Sequence, residues 1–201
     1  MTVPIVTTPH RGGRGRRLTI DAHGIATPAR QLESPNRDPR PPGTEVTLVV
    51  VHGISLPPGE FGGDGILHFF TNRLDAHAHP YYATIAALAV SAHFLIRRDG
   101  ALIQFVACSE RAWHAGASAW KGRERCNDYS VGVELEGTDD VPYTPAQYTV
   151  LARLANALRR RYPIADIVGH SDIAPGRKTD PGPAFEWARL RRLVGAARPR
   201  R

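Results

Sequence analysis

The run VTLVVV, residues 46–51, constrains this chain more than any other stretch. Six residues are too few for a helix of ordinary length, and β-branched side chains favour extended backbone. An apolar run without polar alternation reads as a strand buried in a sheet, with other layers covering it. His52 then stands at the C-terminal end of that strand.

The rest of the chain supplies the sheet's partners. SAHFLIRRDGALIQFVA reads as a hairpin, two apolar runs joined around Asp99-Gly100. YSVGVELEG alternates with period two, which puts Glu134 and Glu136 on one face of a strand and Val133 and Leu135 on the other. TPAQYTVLARLANALRRRYP carries the start signals of a helix: Thr144 as N-cap, Pro145 at the first helical position and Gln147 completing a capping box. Leu151, Leu154, Ala155 and Leu158 form its apolar stripe. IADIVGH reads as a short strand ending at His170, PAFEWARLRRLV as a final helix, and ILHFFTNRL as one or two helical turns before a loop with His77 and His79. RAWHAGASAWKGRERCNDY has no sustained period and is expected to wind over the surface. The fold class is therefore α/β (α+β), one central sheet flanked by helices, with its chemistry gathered at one strand edge.

Charge location excludes one class of partner. Of the formal net charge of +7, residues 1–40 hold +4 and residues 189–201 hold +6, while the body between them is −3. No groove-reading motif or aromatic-basic interleaving occurs in that body, so nucleic acid is not an expected partner. Cys108 and Cys126 have neither CxxC spacing nor companions and are expected to be free buried thiols. No apolar h-region follows the paired arginines of the N-terminus and no run approaches a membrane span, so a cytoplasmic location without a membrane span is expected.

Two strands ending in histidine, with Asp180 ten residues beyond the second, supply two imidazoles and a carboxylate. That donor set suits a catalytic zinc with an open fourth position. Lys178 lies between His170 and Asp180, in a KTDPG turn where a cation can face an oxyanion. Glu134, inside an apolar strand, has the desolvation a general base needs, but Glu136 shares its face and the pattern does not choose between them.

VVVHGISLPPGEFGG, SAHFLIRRDG, RAWHAGAS, GRERCNDYSVGVELEGTD and GHSDIAPGRKTDPGPAF resemble, in order, segments of the type 2 N-acetylmuramoyl-L-alanine amidases, above all those acting on 1,6-anhydro-muropeptides. The resemblance implies a mixed β-sheet packed by helices, as in peptidoglycan recognition proteins and T7 lysozyme. It implies one zinc per chain on His52, His170 and Asp180, Glu134 as catalytic base and Lys178 as stabiliser of the tetrahedral oxyanion. Trp113, His114 and Arg125 match positions near the substrate. The implied reaction cleaves the amide between the lactyl group of 1,6-anhydro-N-acetylmuramic acid and L-alanine, in recycling of wall fragments by a cytoplasmic monomer. The resemblance covers residues 28–193, leaving a basic arm over 1–27, expected to be flexible, and an Arg-rich tail over 194–201. Gly53 departs from the enterobacterial pattern, where Asn follows the first histidine. A muropeptide-binding module without catalysis, or an amidase of intact wall, are the alternatives on the same fold.

Overall fold

The computed structural model describes residues 17–196. In chain order the elements are β1 (Thr19–Ile20), β2 (Ala26–Thr27), β3 (Arg30–Gln31), β4 (Arg37–Pro39), β5 (Leu48–Ile54), α1 (Gly65–Phe70), α2 (Pro80–Ile85), β6 (Phe94–Ile96), β7 (Leu102–Gln104) and β8 (Glu110–Ala112). They continue with β9 (Ala119–Trp120), β10 (Arg123–Glu124), β11 (Ser130–Glu136), α3 (Pro145–Arg161), β12 (Asp166–Gly169), α4 (His170–Ile173) and α5 (Trp187–Ala196).

Six strands form the central sheet in the order β12-β5-β11-β6-β7-β3. β12, β5, β11 and β6 run parallel, and β6 and β7 form the expected antiparallel hairpin. The VTLVVV run is covered on both faces, as its composition requires. Val49 and Val51 pack with Val131, Val133 and Leu135 against the apolar stripe of α3 and against Leu190 and Val194 of α5. Leu48 and Val50 face the other way, onto Val168, Ile173 and Tyr129. The strand continues past its apolar part, however, so His52 lies within β5 rather than at its end. β11 pairs with β5 along its whole length, from Ser130↔Leu48 to Glu136↔Ile54, and the ladder carries the chain on through Gly53 and Ile54.

The helix start expected at Thr144 is present: Gln147 N donates to Thr144 Oγ1 at 3.2 Å and Thr144 N donates to Gln147 Oε1 at 3.0 Å. Gln147 also donates to the carbonyls of Glu136 at 2.9 Å and Ile96 at 3.2 Å, so the capping residue fastens α3 to two strands. The two expected free cysteines are free and buried.

Four expectations change. The arm expected through residue 27 is folded from Leu18 onward: β1 and β2 form a hairpin, Leu18 and Ala26 join the core beside α3, and Arg160 donates to the Leu18 carbonyl at 2.8 Å. The basic residues 1–16 lie outside the described residues, as do 197–201 of the expected tail, while Val194 is buried in α5. The loop carrying His77 and His79 leads into α2, where His79 caps the first turn by accepting from Tyr81 N at 3.1 Å; six residues are too few to show a helical period. The stretch expected to wind over the surface contains β8 to β10 and a 3-10 turn at Cys126–Asp128. Part of it is held by half-buried Arg40, whose guanidinium donates to the carbonyls of Asn127, Asp128, Ser130 and Cys108 at 2.8–3.3 Å. Burial lowers that arginine to about 10, and the ring of carbonyls satisfies it in place of a carboxylate.

Candidate metal centre and catalytic cleft

Strand register assembles the site. β11 beside β5 sets Glu134 against His52, and β12 beside β5 pairs Gly169 with Val51, so the next residue, His170, arrives next to His52. Asp180 comes from the loop that follows α4. Its carbonyl accepts from Ser171 N at 3.0 Å, while Asp172 caps the short helix by accepting from Gly169 N at 2.7 Å. Arg177 donates to the carbonyls of Ala115 at 2.8 Å and Ala117 at 2.7 Å and ties this loop to the segment after β8.

His52 Nδ1, His170 Nδ1 and Asp180 Oδ2 converge on one point, with separations of 3.0 Å between the imidazoles and 3.3 and 3.1 Å from each to the carboxylate. Ligands placed about 2.0–2.1 Å from a tetrahedral ion lie roughly 3.3 Å apart, so the triangle is close to the size a zinc ion needs. The chemistry of the donors agrees. His170 Nε2 is 3.3 Å from the Ala115 carbonyl, which can only accept, so the neutral ring carries its hydrogen there and keeps the Nδ1 lone pair directed inward. These three residues can hold a metal ion.

Electrostatics separate the acids from the bases. Burial lowers His52 to about 4, against the hydrogen bond that its charged ring would donate to Asp180, which favours that form. In the metal-free protein burial alone would raise Asp180, but the hydrogen bonds it accepts when Nδ1 of His170 or His52 carries a hydrogen prevail and hold the carboxyl below its ordinary range. Glu134 moves the other way: desolvation, reinforced by the nearby Asp180 charge, pushes it well above 4.5, and Lys178 opposes that only in part. Its Oε2 is buried and meets no hydrogen-bond donor among the described residues.

All five residues line one cleft of about 370 Å³. Trp113 and His114 line it too, and Lys178 stands exposed at its mouth. Arg125 does not line it; its side chain is 70% exposed and pairs with Asp128 at 3.0 Å. Glu136 lies outside the cleft, with both oxygens engaged by backbone amides: Gly62 N at 2.7 Å and Arg98 N at 3.1 Å. His93, expected to be structural, accepts from Gly132 N at 3.0 Å. Gly53 is explained by packing, since a Cβ there would strike the Tyr143 hydroxyl, which donates to the Pro181 carbonyl at 3.0 Å.

Sequence reasoning missed the opposite wall, where Phe69, Tyr81, Ile85 and Leu88 line the cleft. Tyr81 and Leu88 are 40% and 52% exposed, an apolar shelf that only the unrecognised α2 could have signalled.

The family model for N-acetylmuramoyl-L-alanine amidase matches residues 42–183, which span every residue of the cleft. The chain belongs to that amidase family. The amidase is 59% identical over 168 residues to the 1,6-anhydro-N-acetylmuramyl-L-alanine amidase AmpD of Escherichia coli, covering 83% of this chain and 92% of that one. It is 58% identical over 173 residues to the AmpD of Citrobacter freundii, covering 85% and 92%. Among solved structures, a crystal structure of a selenomethionine AmpD derivative aligns with a TM-score of 0.85 at 58% identity, covering 87% of the amidase and 98% of that chain. The E. coli amidase AmiD, in complex with anhydro-N-acetylmuramic acid-L-Ala-D-γ-Glu-L-Lys, aligns with a TM-score of 0.54 at 29% identity, covering 88% and 65%. No helix among the described residues is long and apolar enough to cross a membrane.

Proposed function

We propose that the amidase hydrolyses the amide between the lactyl group of 1,6-anhydro-N-acetylmuramic acid and L-alanine of the stem peptide, with one zinc ion on His52, His170 and Asp180. The observation that carries this is the convergence of three ligand atoms beside a buried carboxylate that has an unpartnered oxygen, in a chain so close to enzymes named for that substrate. When bound, the zinc supplies Lewis acidity, polarising the scissile carbonyl and making water a nucleophile near neutral pH.

The chain's own residues supply the rest. Glu134 faces the same cleft as the three ligands, and its raised proton affinity suits a group that takes a proton from attacking water and returns it to the leaving alanine nitrogen. Lys178, at the cleft mouth, faces the negative charge that develops on the carbonyl oxygen. Trp113 offers an aromatic face to the sugar, and Arg125, exposed beyond the cleft, is available to a carboxylate of the stem peptide. One chain supplies every named group, which suits a monomer. We assign the reaction to cytoplasmic recycling of wall fragments, a reading supported by the likeness to the AmpD amidases.

The test is direct. Zinc-loaded protein incubated with anhydro-muramyl peptide should release peptide, a chelator should stop it, and added zinc should restore it. Binding of the muropeptide without release would establish the non-catalytic module instead. Faster release from intact sacculi than from free anhydro-muropeptide would favour the wall amidase.

A further inference from the structure

His114 was expected to contact substrate, but both of its ring nitrogens are already engaged. Nδ1 lies 2.9 Å from His52 Nε2 and Nε2 lies 3.0 Å from Ser130 Oγ. The His52 and His114 rings stand edge to face, centroids 5.0 Å apart and planes at 86°. We infer that His114 is a positioning residue for the metal centre: it accepts the Nε2 hydrogen of His52 and so holds the Nδ1 lone pair of that ligand toward His170 and Asp180. This rests on the reading of His52 as a metal ligand.

The hydrogen assignment follows from the geometry. Nδ1 of His52 can serve a cation only while the ring's hydrogen sits on Nε2, which then needs an acceptor. His114 Nδ1 is that acceptor, and the hydrogen left on His114 Nε2 faces a serine oxygen able to accept it. His170 meets the same requirement differently, through the Ala115 carbonyl. The two histidine ligands are thus held by unlike acceptors, one a backbone group that cannot be mutated away and the other a single side chain.

The polar face of β11 is shaped to seat this ring. Ser130, Gly132 and Glu134 share that face, and a Cβ at Gly132 would fall on the His114 ring, 2.6 Å from both Nδ1 and Cδ2. The backbone is anchored as well, because His114 N donates to Asn127 Oδ1 at 3.1 Å. In SVGVE the glycine therefore makes room for the ring, the serine receives its far nitrogen and the glutamate faces the cleft.

Zinc affinity of purified protein, measured by competition with a chromogenic chelator, tests this together with the visible absorption of the cobalt-substituted form. Losing such an outer partner typically weakens metal binding by about 10–100-fold. His114→Ala should show that loss and an altered cobalt spectrum. His114→Asn, whose Oδ1 stands where Nδ1 was, should recover most of the affinity, whereas His114→Gln, which places its oxygen toward Ser130, should not. Gly132→Ala should behave like His114→Ala. The Asn and Gln variants are equally polar, so a general folding defect would move both alike. Equal affinity for zinc in these two and wild type would overturn the inference while leaving the metal centre intact. Failure of the wild-type protein to bind zinc would overturn both.

Discussion

Glu134 and Glu136 lie two residues apart on the same face of one strand, both buried, yet their surroundings make them different groups. Around Glu136 the chain supplies donors to each oxygen, Gly62 N and Arg98 N, and brings the Arg97 guanidinium to 3.9 Å. Around Glu134 it supplies none to the buried Oε2, sets the residue in the wall of a cleft, and places the Asp180 charge close enough to raise its proton affinity. Burial by itself does not make a carboxylate reactive. What distinguishes the two is whether the fold has filled the hydrogen-bonding capacity that burial takes from water.

The largest effect expected from this contrast is on turnover. Glu134→Gln should retain zinc and fold normally but lose about 10²–10⁴-fold in kcat, the range for a missing proton-transfer group. If Glu136→Gln lost as much with its stability intact, the assignment would be reversed.

Removal of a ligand comes next. Asp180→Ala should lose most of its zinc, measured as bound metal after dialysis, and activity should fall with it; stoichiometric zinc with full activity would remove Asp180 from the centre.

Stability should respond more strongly at Glu136 than at Glu134. Glu136→Ala strands two backbone donors, at a cost of about 1–3 kcal/mol for a buried unsatisfied group, and should lower the urea midpoint more than Glu134→Ala does. For metal-free protein the sign also depends on pH. The folded-state pKa of Glu134 is raised, so the stability of burying it neutral is fully present below about 4.5 and is lost as pH rises through the folded value. Glu134→Gln should abolish that loss, becoming more stable than wild type above this window and matching it below. Parallel stability curves across pH would show that Glu134 ionises in the fold at no cost.

The smallest effect is expected outside both environments. Arg125→Ala should raise KM several-fold for peptides ending in a free carboxylate and leave kcat unchanged; an unchanged KM would remove Arg125 from the substrate's path.

Much of the sheet was legible because its signals are local. The VTLVVV run, the Asp-Gly hairpin and the Thr-Pro-x-Gln start of α3 each specify their element through neighbours within a few residues. His52, His170, Asp180, Glu134 and Lys178 were named from composition and resemblance, and the cleft unites all five. What failed was either short or distant. α2 is too short to show a period, and the strands β1 and β2, two residues each, are too short to show alternation. The part assigned to His114 changed because its partners, His52 and Ser130, stand 62 and 16 residues away in sequence.

The sequence by itself determined a helix-covered sheet and a donor set suited to zinc, since strand and helix signals are local and imidazole and carboxylate chemistry belongs to the residue types. It also determined that Glu134 and Glu136 would share a face, because alternation along a strand requires it. Only the tertiary structure decided between them, because Gly62 and Arg98, which fill the oxygens of Glu136, and Asp180, whose charge raises the proton affinity of Glu134, are all remote in sequence. The same holds for the lone pairs of His52 and His170: which nitrogen faces the centre is set by what the other nitrogen meets, and that is a property of the assembled fold.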